Sequence, residues 1–481
     1  MVGRQADGRR YVCTVCDRNA LAGDCACGRI AHHLHAIIML HRLKSLVPKP
    51  LLAIYHRVLA RVSAIVYRNP SQELIVIGVT GTNGKTTVSY YLARALEVSG
   101  FGAGCTTTAL MKIGKKEWIN KTKMTMPGRF YLQKMMREMV DAGCRYAVIE
   151  TSSQGLAQGR HLSIAYDVGV FTNLTPEHIE AHGGFENYKK AKRLLFEHVA
   201  RRQAKSVDGN VVPKGVVLNA DCDHSAYYGT TTGVKEKVWY GIENHRGLFA
   251  EGVVLDATGS RFVLRDVENG AMRVDVRLNQ PGDYNISNAL AVLATCKLLG
   301  VDVKAAAHKL EEITTVPGRF ERIDAGQSWT AIVDYAPEPE SFRQLYRALS
   351  VIPRERTIHV LGSCGGGRDI ARRPILGELA ATNADVVIVT NEDPYDDHPR
   401  EIMEQVATGA REAGKIDGEN LFLIEDRKEA IFKAMAMAGP RDLVVMTGKG
   451  CEPWICIADG NKVPWDEAGT ARDAIRAALN R

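Results

Sequence analysis

The chain has 481 residues, of which 45% are hydrophobic and 24% charged. That is the composition of globular protein with ample core, long enough for about two to four domains. A net charge of +7 is too mild to call for a nucleic-acid partner, and none is expected. Seven cysteines are scattered through the body of the chain (Cys105, Cys144, Cys222, Cys296, Cys364, Cys451, Cys456); they argue for a reducing cytoplasm and against a disulfide scaffold. No cleavable signal peptide and no uninterrupted apolar stretch of about 18 residues is found.

Residues 1–38 hold Cys13-x-x-Cys16 and Cys25-x-Cys27, followed by His32 and His33. The first pair has the spacing of a zinc knuckle and the second is less usual. Two readings stay open: a Zn²⁺ site on Cys13, Cys16, Cys25 and Cys27, or a disordered basic leader, with Met39 even as the true start. Leu51–Tyr67 carries apolar residues at helical spacing, with Arg57, Arg61 and Arg68 on the other side. Such a helix can lie on an anionic membrane or pack on the next domain. Asn69-Pro70-Ser71 then marks a boundary.

From residue 72 to about 316 the pattern is α/β. Apolar Leu74–Val79 reads as a buried strand, Gly81, Thr82, Asn83 and Gly84 as a tight loop, and Lys85, Thr86 and Thr87 as the opening of a helix. Strand, glycine loop and Lys-Thr form a phosphate cradle: backbone N–H groups and a helix N-terminus meet a polyphosphate, the lysine reaches its outer oxygens, and the threonine hydroxyl can ligate Mg²⁺. The spacing departs from the strict pattern, because Val79 stands where the first glycine is expected and Gly78 comes one residue early. Tyr146–Ile149 is a strand ending in Glu150, a usual place for a metal-holding carboxylate. An N-cap or an ion pair is the plainer alternative. Asp167–Phe171 is another strand, ending in Thr172-Asn-Leu-Thr-Pro-Glu-His178. Such carboxyl ends are where open α/β sheets bind ligands. Lys192 lies among Lys189, Lys190 and Arg193 and on composition reads as a solvated cation. Residues 216–280 alternate and predict added antiparallel strands. Asn285–Asn288 is expected to open a helix over Ala289–Leu299.

After Gly318-Arg-Phe-Glu321 the pattern restarts. Ala331–Val333, Thr357–Leu361, Val386–Val389 and Leu443–Met446 read as strands of a second parallel sheet over 317–481. From residues alone the reading is an ATP- and Mg²⁺-using enzyme with a second nucleotide- or substrate-facing domain. The substrate is not given.

Taken together these stretches resemble the Mur ligases, amide-forming enzymes of peptidoglycan synthesis, and most nearly the MurE type. The resemblance covers about 72–481 and rests on Thr80-Gly-Thr-Asn-Gly-Lys-Thr-Thr87, Glu150-Thr-Ser-Ser-Gln-Gly155, Thr172–His178, Ala191-Lys192, Asn285–Ala289, Gly318–Glu321, Val333-Asp-Tyr-Ala336, Gly365-Gly-Gly-Arg-Asp369 and Gly448-Lys-Gly-Cys-Glu452. It implies a central phosphate-loop ATPase domain (72–316), a C-terminal Rossmann-like domain (317–481) and ATP-driven ligation through an acyl phosphate. It implies that Thr86 and Glu150 hold one Mg²⁺, that His178 helps hold a second, and that Lys192 is carbamylated, which makes a cation into a carboxylate-like anion. Lys85 would face the transferring phosphoryl group, and Asn288, Arg319 and Asp334 would contact ATP. Thr125, Ser152, Gln158 and Arg160 match the grip on the muramyl peptide, UDP- or lipid-linked. Arg368, Gly448 and Glu452 match the grip on the incoming amino acid, with Asp393 and Tyr395 in its side-chain motif. A cytoplasmic monomer is expected, at the inner membrane face if the basic helix touches lipid.

The sequence also departs from the family. Its uridine-binding domain is not recognisable in 1–71. Its Thr-Thr-Pro is Thr125-Met126-Pro127, two family histidines are Pro337 and Cys451, and Asp-Asn-Pro-Arg is Glu392-Asp393-Pro394-Tyr395. With Tyr395 in place of an arginine and acids at Glu392, Asp393, Asp396 and Asp397, the loop predicts a preference for a diamino acid with a cationic end, such as lysine or ornithine. Other ligases of the superfamily, MurT-like or folylpolyglutamate-synthase-like, and a nucleotide-binding scaffold without catalysis, are the alternatives.

Overall fold

A computed structural model describes residues 49–176, 182–231, 233–367 and 370–480. The chain divides between Leu59 and Ala60, inside helix α1 (Lys49–Val66). Before the division, Leu51, Ile54, Tyr55 and Val58 are exposed. After it, Ala60, Ser63 and Ala64 are buried while Val62, Ile65 and Val66 are exposed. The small residues of this stretch face inward and the large apolar ones face out. No described helix is long and apolar enough to cross a membrane.

The larger unit holds two main sheets. The first is built from β1 (Ile75–Thr80), β2 (Gly102–Thr106), β3 (Leu110–Ile113), β4 (Lys116–Ile119), β5 (Cys144–Glu150), β6 (Tyr166–Phe171), β7 (Gly215–Asn219), β8 (Glu236–Gly241), β9 (Leu248–Asp256), β10 (Gly259–Asp266) and β11 (Arg273–Leu278). Its order is β11-β10-β9-β8-β7-β6-β1-β5-β2-β3-β4. The middle is parallel, and antiparallel strands close both edges. Burial follows from the packing. Every residue of β1 and β6 is buried, as in a sheet covered on both faces. β11 alternates exposed and buried, as in a sheet wetted on one face. Helix α2 (Lys85–Leu96) and helix α4 (Asp283–Leu298) cover one face, and helix α3 (Phe185–Arg201) with Arg129–Asp141 covers the other. The helix expected at Ala289 begins at Asp283, so Asn285–Asn288 form its first turns.

The second sheet contains β12 (Glu321–Ile323), β13 (Thr330–Val333), β14 (Thr357–Leu361), β15 (Val386–Val389), β16 (Leu421–Leu423) and β17 (Leu443–Met446). Its order is β12-β13-β17-β14-β15-β16, parallel except for the β12 edge. In both sheets some of the polar residues singled out in the sequence, among them Glu150, Thr172 and Asp334, stand at or just after the carboxyl ends of parallel strands, where a crevice opens.

Candidate active site

β1 ends at Thr80 and the chain turns through Gly81–Gly84 into α2. Gly84 has φ of +82°, and a Cβ there would lie 2.3 Å from Asn288 Oδ1 on α4, so only glycine fits. Gly78 plays another part. It sits inside β1, where a Cβ would meet Leu195 of α3 at 2.7 Å and Tyr166 at 2.8 Å. The early glycine is a packing residue, and Val79 is a fully buried strand residue. The departure from strict spacing therefore lies in strand packing and leaves the loop intact.

The loop is braced from the next strand end. Thr82 N donates to Asn173 O (2.9 Å), Asn83 N to Asn173 Oδ1 (2.8 Å), and Thr172 Oγ1 to Asn83 O (2.6 Å). Lys85 Nζ donates to Thr82 O at 2.5 Å. Glu150, the last residue of β5, is 1% exposed. Its Oε2 accepts from Thr86 Oγ1 (3.0 Å) and Thr108 N (2.6 Å), and its Oε1 from Thr108 Oγ1 (2.9 Å). Thr125 Oγ1 lies 2.9 Å from Thr108 Oγ1. A chain of hydroxyls thus runs from the carboxylate into the neighbouring loop.

Lys192 corrects the compositional reading. Lys190 beside it is exposed, but Lys192 is 1% exposed. Its Nζ donates to Gly81 O at 2.6 Å and lies 4.3 Å from the Tyr188 ring centre. Helical periodicity turns this one lysine of the run toward the phosphate loop. Tyr188 Oη is 3.0 Å from Thr82 Oγ1, and His182 Nε2 is 3.0 Å from Ser153 Oγ. His178, Arg368, Cys13, Cys16, Cys25 and Cys27 lie outside the described residues.

The second sheet contributes from across the crevice. Arg319 Nη2 donates to Thr86 Oγ1 at 3.3 Å, and its guanidinium lies 4.3 Å from the Tyr335 ring centre. Asp334 accepts from Phe320 N (2.6 Å) and Ala336 N (2.8 Å). Burial pushes its carboxyl pKa up, against the pull of Arg319 and these N–H groups. Ser341 Oγ donates to Asn83 Oδ1 at 3.1 Å. These groups border a cleft open to solvent, about 1080 Å³ with its open mouth included, lined by Lys85, Thr86, Thr87, Glu150, Lys192 and Asn288 with Arg319 and Asp334.

A second cleft, of about 1770 Å³, shares Thr125 and Ser152 with the first and adds Arg160, Asp393, Tyr395 and Glu452. Ser152 caps a short helix by accepting from Gly155 N at 3.1 Å. Gln158 is exposed, and its Oε1 accepts from Arg160 Nε at 3.0 Å. Gly448 has φ of +101°, and a Cβ would press on Glu392 Oε2 at 2.3 Å. The acidic loop differs from its sequence reading. Glu392 and Asp393 are buried. Glu392 Oε1 accepts from the Cys364 thiol at 2.9 Å. Asp393 accepts from Lys449 (3.0 Å), Lys123 and Cys456 N (2.7 Å). Asp396 accepts from Asp459 N, and Asp397 lies 3.5 Å from Arg373. Asp396 stays exposed, but Glu392 and Asp393, the two buried acids of the loop, are engaged by the protein and give no ground for a lysine preference.

The sequence reading gives no place to Thr108, Tyr188 or Lys123, and it names Asn173 and Lys449 only as members of motifs, without a role. Thr108 follows a polar run closing β2 and carried the same strand-end signal as Glu150. Lys123 carried none, because Asp393 is 270 residues away.

Two family models match the chain: the Mur ligase middle domain over 79–296, and the Mur ligase glutamate ligase domain over 318–450. A UDP-N-acetylmuramyl-tripeptide synthetase of Roseiflexus sp. (strain RS-1) is 39% identical over 420 residues, 87% of this chain and 81% of its own. The chain belongs to the Mur ligase family. Mur ligases are ATP-dependent, ADP-forming peptide ligases of peptidoglycan synthesis, and this chain is one of them. A UDP-N-acetylmuramoyl-L-alanyl-D-glutamate–2,6-diaminopimelate ligase of Halalkalibacterium halodurans is 35% identical over 441 residues, 92% of this Mur ligase and 86% of its own chain. A solved structure of a ligase of that description superposes with a TM-score of 0.56 at 27% identity, covering 84% of this chain and 79% of that one.

Proposed function

We propose that this Mur ligase adds an amino acid to the free carboxylate of a UDP- or lipid-linked muramyl peptide. The observation that carries the reading is the convergence of Lys85, Thr86, Glu150 and Lys192 on one glycine loop, with Arg319 reaching in from the second sheet. A carboxylate is a poor acyl donor. Attack of its oxygen on the γ-phosphorus of ATP gives an acyl phosphate and ADP. A neutral amine then attacks the acyl carbon, phosphate leaves, and the amine proton is lost. Lys85 and Arg319 bring positive charge to the transferring phosphoryl group.

Thr86 and Glu150 supply hard oxygen donors 3.0 Å apart, a set that fits Mg²⁺. His178 is assigned to a second metal. Bound there, Mg²⁺ would offset the charge on the phosphoryl oxygens. Lys192, buried against Gly81 O, is assigned as the carbamylated lysine. Gly81, Thr82, Asn83, Gly84 and Thr87 form the phosphate cradle, and Asn288, Arg319 and Asp334 hold the rest of ATP. Thr125, Ser152, Gln158 and Arg160 are assigned to the donor. Arg368, Gly448 and Glu452 are assigned to the incoming amino acid, with Asp393 and Tyr395 shaping the pocket around it. The division 72–316 and 317–481 goes with these roles. Phosphate release that requires ATP, a muramyl peptide and an amino acid together tests the reading. Release with ATP alone, unaffected by either partner, would overturn it.

Two smaller proposals concern the N-terminal part. No Asp or Glu occurs between Asp24 and Glu73, while Arg29, Arg42, Lys44, Lys49, Arg57, Arg61 and Arg68 do. With the exposed apolar residues of α1, this supports peripheral contact with anionic lipid. Flotation with anionic vesicles at low salt tests it, and no binding refutes it. Zinc on Cys13, Cys16, Cys25 and Cys27 is tested by metal analysis of the purified protein, in which a metal-free chain of full length rules the site out.

A further inference from the structure

A closed ring of four charges borders the larger cleft, with Lys123, Asp393 and Glu452 on its lining and Lys449 behind them. Asp393 Oδ1 accepts from Lys449 Nζ at 3.0 Å, and Lys449 Nζ donates to Glu452 Oε2 at 2.8 Å. Glu452 Oε2 lies 3.1 Å from Lys123 Nζ, and Lys123 Nζ donates to Asp393 Oδ2. The signs alternate around the ring and sum to zero. Lys449 is fully buried and also donates to Trp454 O at 2.8 Å, so it belongs to the frame of its own domain. Lys123 comes from the other domain. Its ammonium is held by two carboxylates, by Cys456 Sγ at 3.3 Å and by the Tyr395 ring, whose centre is 6.0 Å away. Carboxylates with an aromatic face make an ammonium cage.

The cage holds a side chain on a fixed loop. The buried Asn120 donates to Thr107 O (2.7 Å) and Met124 O (3.1 Å) and accepts from Thr122 N (2.9 Å). Trp454 Nε1 donates to Lys121 O at 3.2 Å. Lys123 itself has φ of +55°, a backbone state that its surroundings must impose. Burial acts to discharge the ammonium, but Glu452 and Asp393 outweigh it and raise its pKa. Burial likewise works against the Asp393 carboxylate, and Lys449 and Lys123 reverse it, so that its pKa falls. Both shifts keep the Lys123–Asp393 pair charged. Among the described residues no bond is made to Glu452 Oε1, which leaves that oxygen for the amine of a substrate.

We infer that Lys123 is a specificity-determining residue: it is the resident cation of the amino-acid pocket, and it excludes amino acids whose side chain ends in an ammonium with no carboxylate beside it. This rests on the ligation reading above. A lysine or ornithine side chain entering the cage would bring a second cation to a neutral ring already complete. Removing Lys123 leaves one net negative charge and an open cage, which an ammonium from the substrate can fill.

The test measures kcat/KM for lysine, ornithine, norleucine, alanine and diaminopimelate, each relative to the best amino acid of the wild type. In the wild type, lysine is poorer than norleucine, which has the same carbon chain without the ammonium. In Lys123→Met and Lys123→Ala, relative efficiency with lysine or ornithine rises about tenfold or more, the scale of one charge-assisted hydrogen bond, while norleucine does not follow. Lys123→Arg leaves the order unchanged. The proposal is overturned if the wild type already favours lysine, if the ratios do not move, or if norleucine rises with lysine. Should the variants fail to fold, the wild-type comparison of lysine with norleucine still decides. A wild type that releases no phosphate in response to any amino acid would overturn the ligation reading itself, and this proposal with it.

Discussion

Arg319, on the loop before the second sheet, donates to the hydroxyl of Thr86 in the first turn of α2, 3.3 Å away. The same hydroxyl donates to Glu150 at 3.0 Å. One small oxygen therefore joins the two halves of the enzyme at the phosphate loop. Arg319→Ala should raise the KM for ATP about ten- to a hundredfold, since a charged donor is lost from a crevice. Arg319→Lys should recover little, because a lysine cannot both stack on Tyr335 and reach Thr86. Nucleotide titration with a melting curve on each variant checks this; an unchanged KM would show that Arg319 only braces the domains.

Glu150→Gln tests the metal assignment. The amide keeps the shape but loses the charge and turns a donor toward Thr86 or Thr108. Activity should fall by about a hundredfold or more, and half-maximal activity should need more Mg²⁺. Magnesium titrations of both proteins measure it. An unshifted titration would leave Glu150 a purely structural acceptor.

Lys192→Ala should abolish ligation, with partial recovery on adding short carboxylic acids that restore an anion at the loop. The buried setting of Lys192 makes this a sharp test, because a cavity remains for the acid to fill. Carbon-13 bicarbonate labelling of the wild type should give a carbamate signal that the variant lacks. Full activity in the variant sinks the assignment.

Among the described residues, three histidines are kept neutral by burial. His161 is held down to about 3, His198 to about 4 and His359 to about 3. Their folded values lie below the unfolded value of about 6.5. Below that pH the unfolded chain binds more protons, so stability falls as pH drops from about 6.5 toward 4, and the loss levels off below the folded values. The slope should approach about 1.4 kcal/mol per pH unit for each histidine. Urea unfolding between pH 7.5 and 5 measures it, and His359→Gln should reduce the slope by about a third. A flat profile would mean these rings take up protons in the fold.

Local chemistry made much of this protein legible in its sequence. The strand–glycine loop–helix, the carboxylate at the end of β5 and the four parallel strands of the second domain all follow from hydrophobic runs and turn residues that act within a few positions. What the tertiary structure decided depends on neighbours far along the chain. Lys192 reads as one of a solvated run, yet its helical phase points it at Gly81 O. Gly78 reads as a misplaced loop glycine, yet Leu195 needs the space. Glu392 and Asp393 read as free anions, yet Cys364 and two lysines satisfy them. Whether a charge is open to a substrate or already paired is set by which loops meet, and only the folded chain brings Lys123 to Asp393.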